Sequence, residues 1–416
     1  MMRLRIGFLI LLMPLSVAGQ DVVCGSMWQP PIGAVALTAG YTMPNKPEWS
    51  YIAGATYGVD ASLLWKVSGA LPWHRAWRMP SFGVRANYAY IPDGIAGDRF
   101  GLAAFMVNPL WNPELHPASL LRRTVLSWEL DFGISGYSNP YCRTPDMRNE
   151  FIGSYLNCLI HFGLRYDVSV GMGGSRLTFA AKLVHSSNGY LQKPNQGLNF
   201  LQGEVGWMLA PKAGEPKNAV EQKNTIDDIV SPIVGIDGSP RDGISRFSLL
   251  PHSYLSLSYA PGLVQPRFSG ASRRYFYCHT AEAAYLWRPD TRDGYLGRFA
   301  YGGGIDLSYN FSMAEQSRWY HDNYGYDLYT LPFNICYFGT FEPYWGPMSV
   351  RISLGGYLLK DSNPHVVSLP FYERVGLMYH SACGLFGGIS MRAYAAHVDF
   401  IEWNIGYQFR LRGALY

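Results

Sequence analysis

Two polar residues near the middle of the chain have the spacing that a nucleophile and its general base need. His185 and Ser187 lie two positions apart in the segment LVHSSNG, which begins at Leu183. On a β-strand, residues i and i+2 share a face, so a histidine ring nitrogen can reach the serine hydroxyl on the same side. The histidine can then take the hydroxyl proton while the oxygen attacks. His-x-Ser alone is a weak signal, and a merely structural histidine is the alternative.

The composition restricts the class of protein that positions this pair. Of the 416 residues, 15% are charged and 15% are aromatic, which is unusual for a soluble enzyme. Beyond the N-terminus no run of about 18 apolar residues occurs, which excludes a helical membrane protein. A hydrophobic content of 48% argues against disorder. An all-β protein remains, either a secreted sandwich or a transmembrane barrel.

The N-terminus predicts export. Arg3 and Arg5 precede an apolar run from Ile6 to Leu15, and small residues follow at Ala18 and Gly19. This pattern predicts a signal peptide over residues 1–19. Its removal leaves a charge of about +2, so no nucleic-acid partner is expected.

Alternating segments of 10–12 residues recur along most of the chain, and this length favours a transmembrane barrel over a sandwich. Residues 161–172, for example, set Phe162, Leu164 and Tyr166 against Arg165 and Asp167. Fifteen candidate strands can be placed, although a bacterial barrel should have an even number. One strand is therefore either missed, in which case it could lie near 226–236, or wrongly placed, and we expect an antiparallel barrel of about 12–16 strands. The expected organisation is one barrel over 20–416, with a polar insert at 211–250 and additional strands at 251–416.

The alternation also predicts where the pair points. Over 175–187 the apolar Leu177, Phe179 and Leu183 occupy odd positions, as do His185 and Ser187. The pair therefore falls on the lipid face and not on the polar lumen face. A polar pair at the edge of a lipid-facing stripe suits a substrate that is itself a membrane lipid.

At this point the residues resemble a known family, the outer-membrane lipid A 3-O-deacylases of the PagL type. The family pattern is His-x-Ser-Asn at a strand end, a Pro-Asn-x-Gly turn, and an acidic residue that opens the next strand. The match is close over about 25 residues, and the last 200 residues lie outside the family's small barrel. The matching positions are His185, Ser187, Asn188, Pro194, Asn195 and Gly197.

The resemblance implies a serine esterase that removes an ester-linked acyl chain from lipid A in the outer leaflet. Ser187 would be the nucleophile, His185 the base, and the amides of Asn195 and Asn188 the oxyanion donors. A loop with two asparagines can supply such donors. Turn formation is the alternative role for both asparagines.

The chain departs from the family where the acidic residue is expected, since it has Asn199 there. An amide oxygen can still orient the His185 ring but adds no charge. The nearest acid, Glu204, falls on the lumen face. The expected catalytic group is therefore Ser187, His185 and Asn199.

Two other functions remain open: a non-catalytic outer-membrane barrel, as a porin or lipid-binding scaffold, and an unrelated transport barrel. A transporter should use the lumen, whereas the predicted site faces outward. No metal or cofactor is expected, because the remaining histidines show no ligand spacing and ester hydrolysis needs none. Residues 173–185 and 387–397 both begin with Gly-Gly, continue as a predicted strand and end in a His, and a second predicted strand follows each. This likeness reflects either an internal repeat or similar composition alone.

Overall fold

The computed structural model describes most of the chain from Trp28 to Leu411, and these residues form sixteen antiparallel strands and short helices. The described ranges are 28–69, 71–92, 94–111, 124–142, 149–170, 175–189, 191–209, 252–264, 275–289, 298–325, 332–359, 370–394 and 397–411. The predicted signal peptide, the 211–250 insert and the strand predicted near 226–236 lie outside them. No helix among them is long and apolar enough to cross a membrane.

The first eight strands form an N-terminal barrel that contains the His185–Ser187 segment. Its strands are β1 Ile32–Met43, β2 Gly54–Lys66, β3 Ser81–Tyr90, β4 Arg99–Trp111, β5 Thr124–Tyr137, β6 Leu156–Ser169, β7 Arg176–Ser187 and β8 Leu198–Leu209. A 3-10 helix, Pro47–Ile52, follows β1, and the short helix α1, Pro72–Ala76, follows β2. Pairing of β1 with β8 closes the barrel.

The other eight strands form a C-terminal barrel, which pairing of β16 with β9 closes. Its strands are β9 His252–Val264, β10 Phe276–Arg288, β11 Phe299–Asn310, β12 Phe333–Trp345, β13 Met348–Leu359, β14 Phe371–His380, β15 Leu385–Tyr394 and β16 His397–Leu411. The helix α2, Ser312–Tyr324, lies between β11 and β12.

The prediction of an all-β, antiparallel barrel architecture with more than eight strands is confirmed. The strands close, however, as two barrels of eight, and not as the one larger barrel expected over 20–416. Closure depends on which distant strands pair, such as Met43 with Asn199 and Ile401 with Leu263. Each of these strands has the same alternation whether the sheet closes after eight strands or after sixteen, so the pattern does not reveal the closing pair.

One strand was missed in the sequence, and it is β12. Its interior face carries Cys336, which is fully buried, and Phe338, which is 4% exposed, alongside Thr340 and Glu342. Apolar residues on the face that is polar in other strands blur the alternation on which the prediction depended.

Burial in both barrels is the inverse of that in a water-soluble domain. Apolar side chains cover the outer walls, for example Leu37 at 70% exposure and Ile405 at 61%. Ion pairs fill the interiors. In the N-terminal barrel, Glu129 meets Arg85 at 2.6 Å, Lys182 at 2.7 Å and Arg165 at 3.2 Å. The water-exposed polar face that a sandwich requires is therefore missing from these strands.

The interior of the C-terminal barrel is built in the same way. Arg374 contacts Glu282 at 2.8 Å and Glu402 at 3.0 Å, and Arg351 contacts Glu282 at 3.1 Å. An eight-stranded barrel is only wide enough for side chains to fill it. In this interior, opposite charges offset part of the cost of removing each other from water, whereas a single buried charge would have no such partner.

One contact between the two barrels lies at the end opposite the His185–Ser187 segment. Helix α1 supplies Trp73, and Trp77 follows the helix. Trp77 stacks on Trp345 with ring centroids 4.5 Å apart, and its Nε1 donates to the carbonyl oxygen of Tyr344 at 2.6 Å. His74 supports this helix: burial lowers its pKa to about 4, so the neutral ring accepts the N–H of Gly69 at 3.1 Å. Aromatic residues of both chain halves therefore form one cluster.

Candidate active site

The hairpin of β7 and β8 brings His185 and Asn199 together as directly paired residues. The next outward pair along the hairpin is Leu183 with Leu201. Because side chains on directly opposed positions of one face lie close together, the histidine ring and the asparagine amide meet across the two strands.

Hydrogen bonds join the three predicted residues in the order Ser187, His185 and Asn199. His185 Nδ1 lies 2.7 Å from Asn199 Oδ1, and His185 Nε2 lies 3.0 Å from Ser187 Oγ. The amide oxygen can only accept, so Nδ1 carries the proton and Nε2 has a free lone pair. That lone pair accepts from the serine hydroxyl. The ring is therefore in the tautomer that a general base requires.

The direction of the site follows from the register of β7 and β8. Leu183 and Leu201, which are 53% and 51% exposed, lie on the same outer face as His185. Glu204 points into the barrel, is 7% exposed and pairs with Lys182. The structure thus places Asn199, and not Glu204, beside the histidine.

Asn45 is a neighbour of the site that the sequence did not indicate. The side-chain amide of Asn199 donates to Asn45 Oδ1, which leaves Asn199 Oδ1 directed at His185. Asn45 follows β1, and the closing pair Met43–Asn199 brings it to this position. Since the contact spans 154 residues, only the barrel closure could have revealed it.

The two candidate oxyanion donors, Asn188 and Asn195, have different hydrogen bonds in the loop after β7. Both amide hydrogens of Asn188 are used, by Ser154 Oγ at 3.0 Å and by the carbonyl oxygen of Gln192 at 2.7 Å. Asn188 therefore orders the loop, and both hydrogens of the side-chain amide that we expect to stabilise an oxyanion are bonded to other protein groups in this structure.

Asn195 has a different arrangement. Its Oδ1 accepts the backbone N–H of Asn188 at 3.0 Å, and this bond fixes the side chain. Both hydrogens of its amide nitrogen remain available within the described part of the chain, so Asn195 can donate to a bound group.

Gly197 is required by close approach as well as by conformation. Its φ of +71° lies in the left-handed region, which side chains disfavour. A β-carbon there would lie 2.9 Å from His185 Cε1 and 3.2 Å from Ser187 Cβ. The loop thus packs against His185 and Ser187, and Ser187 is only 4% exposed.

A second group of serine, histidine and acid lies inside the C-terminal barrel but has a different geometry. His380 Nε2 is 2.8 Å from Ser349 Oγ and 3.2 Å from Glu342 Oε1, so both partners share one ring nitrogen. Ser349 also donates to Glu342 at 2.5 Å. A triad needs the acid on the other nitrogen. Both Ser349 and Glu342 are fully buried, so this cluster is part of the packed interior.

The C-terminal barrel also differs at the place equivalent to the site. The Gly-Gly echo noted in the sequence falls on β7 and β15, and each is the seventh strand of its barrel. The segment AYAAHVDF, residues 393–400, contains no serine. Among the described residues, no cluster of His, Cys, Asp and Glu is suited to a metal ion.

The fold and the site together define a protein of two eight-stranded barrels with a Ser-His-Asn group on the outer wall of the first. The family model "Lipid A 3-O-deacylase (PagL)" matches residues 57–208, and "Acyloxyacyl hydrolase, C-terminal domain" of the same family matches 254–411. The chain therefore belongs to the PagL family. Each match lies within one of the two barrels, and the first begins inside β2.

Solved structures give weaker likenesses. The crystal structure of the outer membrane enzyme PagL is 19% identical, covers 42% of this chain and 97% of its own, and has a TM-score of 0.30. Salmonella typhi OmpF with daunomycin is 9% identical, covering 91% and 97%, with a TM-score of 0.18. A triple-mutant porin from Rhodopseudomonas blastica is 9% identical, covering 91% and 99%, with a TM-score of 0.16. No curated protein matches the chain.

Proposed function

We propose that the protein is an outer-membrane serine esterase that removes an ester-linked acyl chain from lipid A. The observation that carries this proposal is the hydrogen-bonded chain from Ser187 through His185 to Asn199 on the outer wall of the barrel. The family assignment supplies the substrate class. We infer that the signal peptide over 1–19 exports the chain and that both barrels span the outer membrane.

The mechanism follows from the ring tautomer. Ser187 Oγ attacks the ester carbonyl carbon while its proton passes to His185 Nε2, and the carbonyl oxygen becomes an oxyanion. When the tetrahedral intermediate collapses, the sugar oxygen leaves with the proton from His185. Water then attacks the acyl-serine with the same histidine as base, which releases the fatty acid and restores Ser187.

The surroundings of the site suit a lipid substrate. Leu183 and Leu201 lie next to the catalytic group on the same outer face, where acyl chains of a bilayer would contact them. A headgroup ester then lies level with the polar group at the strand ends.

The porin and transport alternatives receive less support. The ion pairs of Arg85, Glu129 and Lys182 bridge the interior of the N-terminal barrel. Arg374 and Glu402 do the same in the C-terminal barrel. Eight strands leave no room for a water-filled channel beside such side chains.

The proposed function is tested by analysing the acyl chains of lipid A from cells. Lipid A from outer membranes with and without the protein is compared by mass spectrometry, after fractionation shows where the protein resides. We expect loss of one acyl chain and release of the matching fatty acid. Unchanged lipid A from membranes that contain the folded protein would contradict the proposal.

Asn195 provides a test of the oxyanion site. Asn195→Asp keeps the oxygen that accepts the Asn188 N–H but removes the amide donor. Loss of one oxyanion donor costs about 10²–10³-fold in kcat. We therefore expect a fall of that size in kcat with little change in KM, measured as fatty-acid release in detergent. Full activity in this variant would remove Asn195 from the mechanism.

A further inference from the structure

The C-terminal barrel contacts the loop that follows the nucleophile. Gly189, two residues after Ser187, is buried and has a φ of +61°. A β-carbon on it would lie 2.8 Å from Ile401 Cγ1 and closer still to Ile401 Cδ1, with Val398 Cγ1 at 4.0 Å. Ile401 and Val398 belong to β16. The second barrel therefore covers the loop at the end where the site lies.

The burial of Ile401 shows that this contact covers an otherwise exposed position. Along β16, Glu402 points inward and is fully buried, whereas Trp403 and Ile405 point outward and are 40% and 61% exposed. Ile401 shares the outward face with them but is only 6% exposed. The outward side chain of Ile401 is therefore covered, and Gly189 of the other barrel lies against it.

The contact leads to the oxyanion donor through the backbone. Gly189 follows Asn188, whose N–H donates to Asn195 Oδ1 at 3.0 Å, and Asn188 also bonds Gln192 across the loop. A shift of Gly189 would therefore move Asn188 and, through it, the Asn195 amide. A displacement of about 1 Å in a positioned group can cost 10²-fold in rate.

We propose that the C-terminal barrel is a positioning element for the active site of the N-terminal barrel, and that Ile401 holds the Gly189 loop in its catalytic arrangement. This inference rests on the proposed esterase function. It assigns a role to a barrel that has no serine at the equivalent hairpin. Ile401 is a positioning residue, since it acts through Gly189 and touches no reacting atom.

The test compares two isoleucines on the same face of one strand. Ile401→Ala removes the contact with Gly189, and Ile405→Ala removes an equal side chain that faces outward with 61% exposure. We expect kcat for acyl release to fall about 10-fold in Ile401→Ala, because the Gly189 loop is displaced. KM should stay within twofold, because the outer surface that would bind the acyl chains is unchanged. Ile405→Ala should match the unmodified protein, and Ile401→Val should recover most of the activity.

A paired substitution separates positioning from loss of folding. Gly189→Ala should reduce kcat, because its β-carbon meets Ile401 and because a φ of +61° disfavours a side chain. Adding Ile401→Ala should restore part of that loss, since the smaller side chain makes room. Heat-modifiable migration on gels monitors folding in every variant, because closed barrels resist detergent until heated.

The outcomes distinguish this inference from the proposed function. Equal kcat values for Ile401→Ala and Ile405→Ala, or a Gly189→Ala loss that Ile401→Ala leaves unchanged, would overturn the positioning role. The rate at which a fluorophosphonate labels Ser187 depends on the geometry of the site and can be measured without lipid A. This rate should fall in Ile401→Ala. If the unmodified protein is labelled but leaves lipid A intact, the proposed substrate is wrong while the positioning role remains measurable.

Discussion

We expect Ser187→Ala and His185→Ala each to abolish release of fatty acid from lipid A, with a loss on the order of 10⁶-fold in kcat, because a serine hydrolase that loses its nucleophile or its base falls by about that factor. In the proposed mechanism Ser187 Oγ forms the bond to the acyl carbon, and alanine has no atom to replace it. His185 Nε2 receives the proton, and without it the hydroxyl attacks as a neutral, weak nucleophile. Purified protein in detergent with lipid A as substrate gives the rates.

The adjacent serine is the matched control. Ser186 points into the barrel, where its Oγ lies 2.5 Å from Ser135 Oγ and 3.2 Å from the carbonyl oxygen of Cys158. Ser186→Ala removes the same atom on the opposite face of β7, so deacylation should continue within a few-fold of the original rate. Substantial activity in Ser187→Ala, or an inactive but folded Ser186→Ala, would mean that the catalytic face has been assigned wrongly.

The sequence predicted the local parts of this site well, because they depend on strand alternation. The odd parity of Leu183, His185 and Ser187 sets one face of β7, and the same parity puts Asn199 outward on β8 and Glu204 inward. These relations need only the two-residue period and one strand pairing. They are properties of a single hairpin, and both strands of that hairpin lie within 35 residues of each other.

The remaining features depend on contacts between distant residues. The contact of Asn45 with Asn199 exists only because β1 closes on β8, and the contact of Ile401 with Gly189 exists only because two barrels pack side by side. Alternation does not indicate which strands close a barrel, so one large barrel was expected. The bonds of Asn188 are likewise not readable from the sequence. A turn-forming asparagine and an oxyanion donor have the same sequence signature, and only its bonds to Ser154 and Gln192 separate them.

Substitution of Asn199, which stands where the family has an acidic residue, should have the second large effect on kcat. Asn199→Leu removes the acceptor of His185 Nδ1–H and leaves that hydrogen unpaired, so the ring can rotate or adopt the other tautomer. Disturbing the orienting residue of a triad costs up to about 10⁴-fold in kcat, and we expect a loss of at least 10²-fold here. Asn45 then also loses its partner, and a stopped assay of acyl release measures the combined effect.

Asn199→Asp tests whether charge matters in addition to orientation. Aspartate keeps an oxygen at the position of Oδ1, 2.7 Å from His185 Nδ1, and adds negative charge beside the imidazolium that forms during attack. Activity should be retained or raised, and Asn199→Glu should behave in the same direction with a longer side chain. Glu204→Gln is the control on the other face, since Glu204 lies beside Lys182 in the interior. A folded but inactive Glu204→Gln together with an unaffected Asn199→Leu would show that the register of β8 is displaced by one residue, which would turn every side chain of that strand to the opposite face.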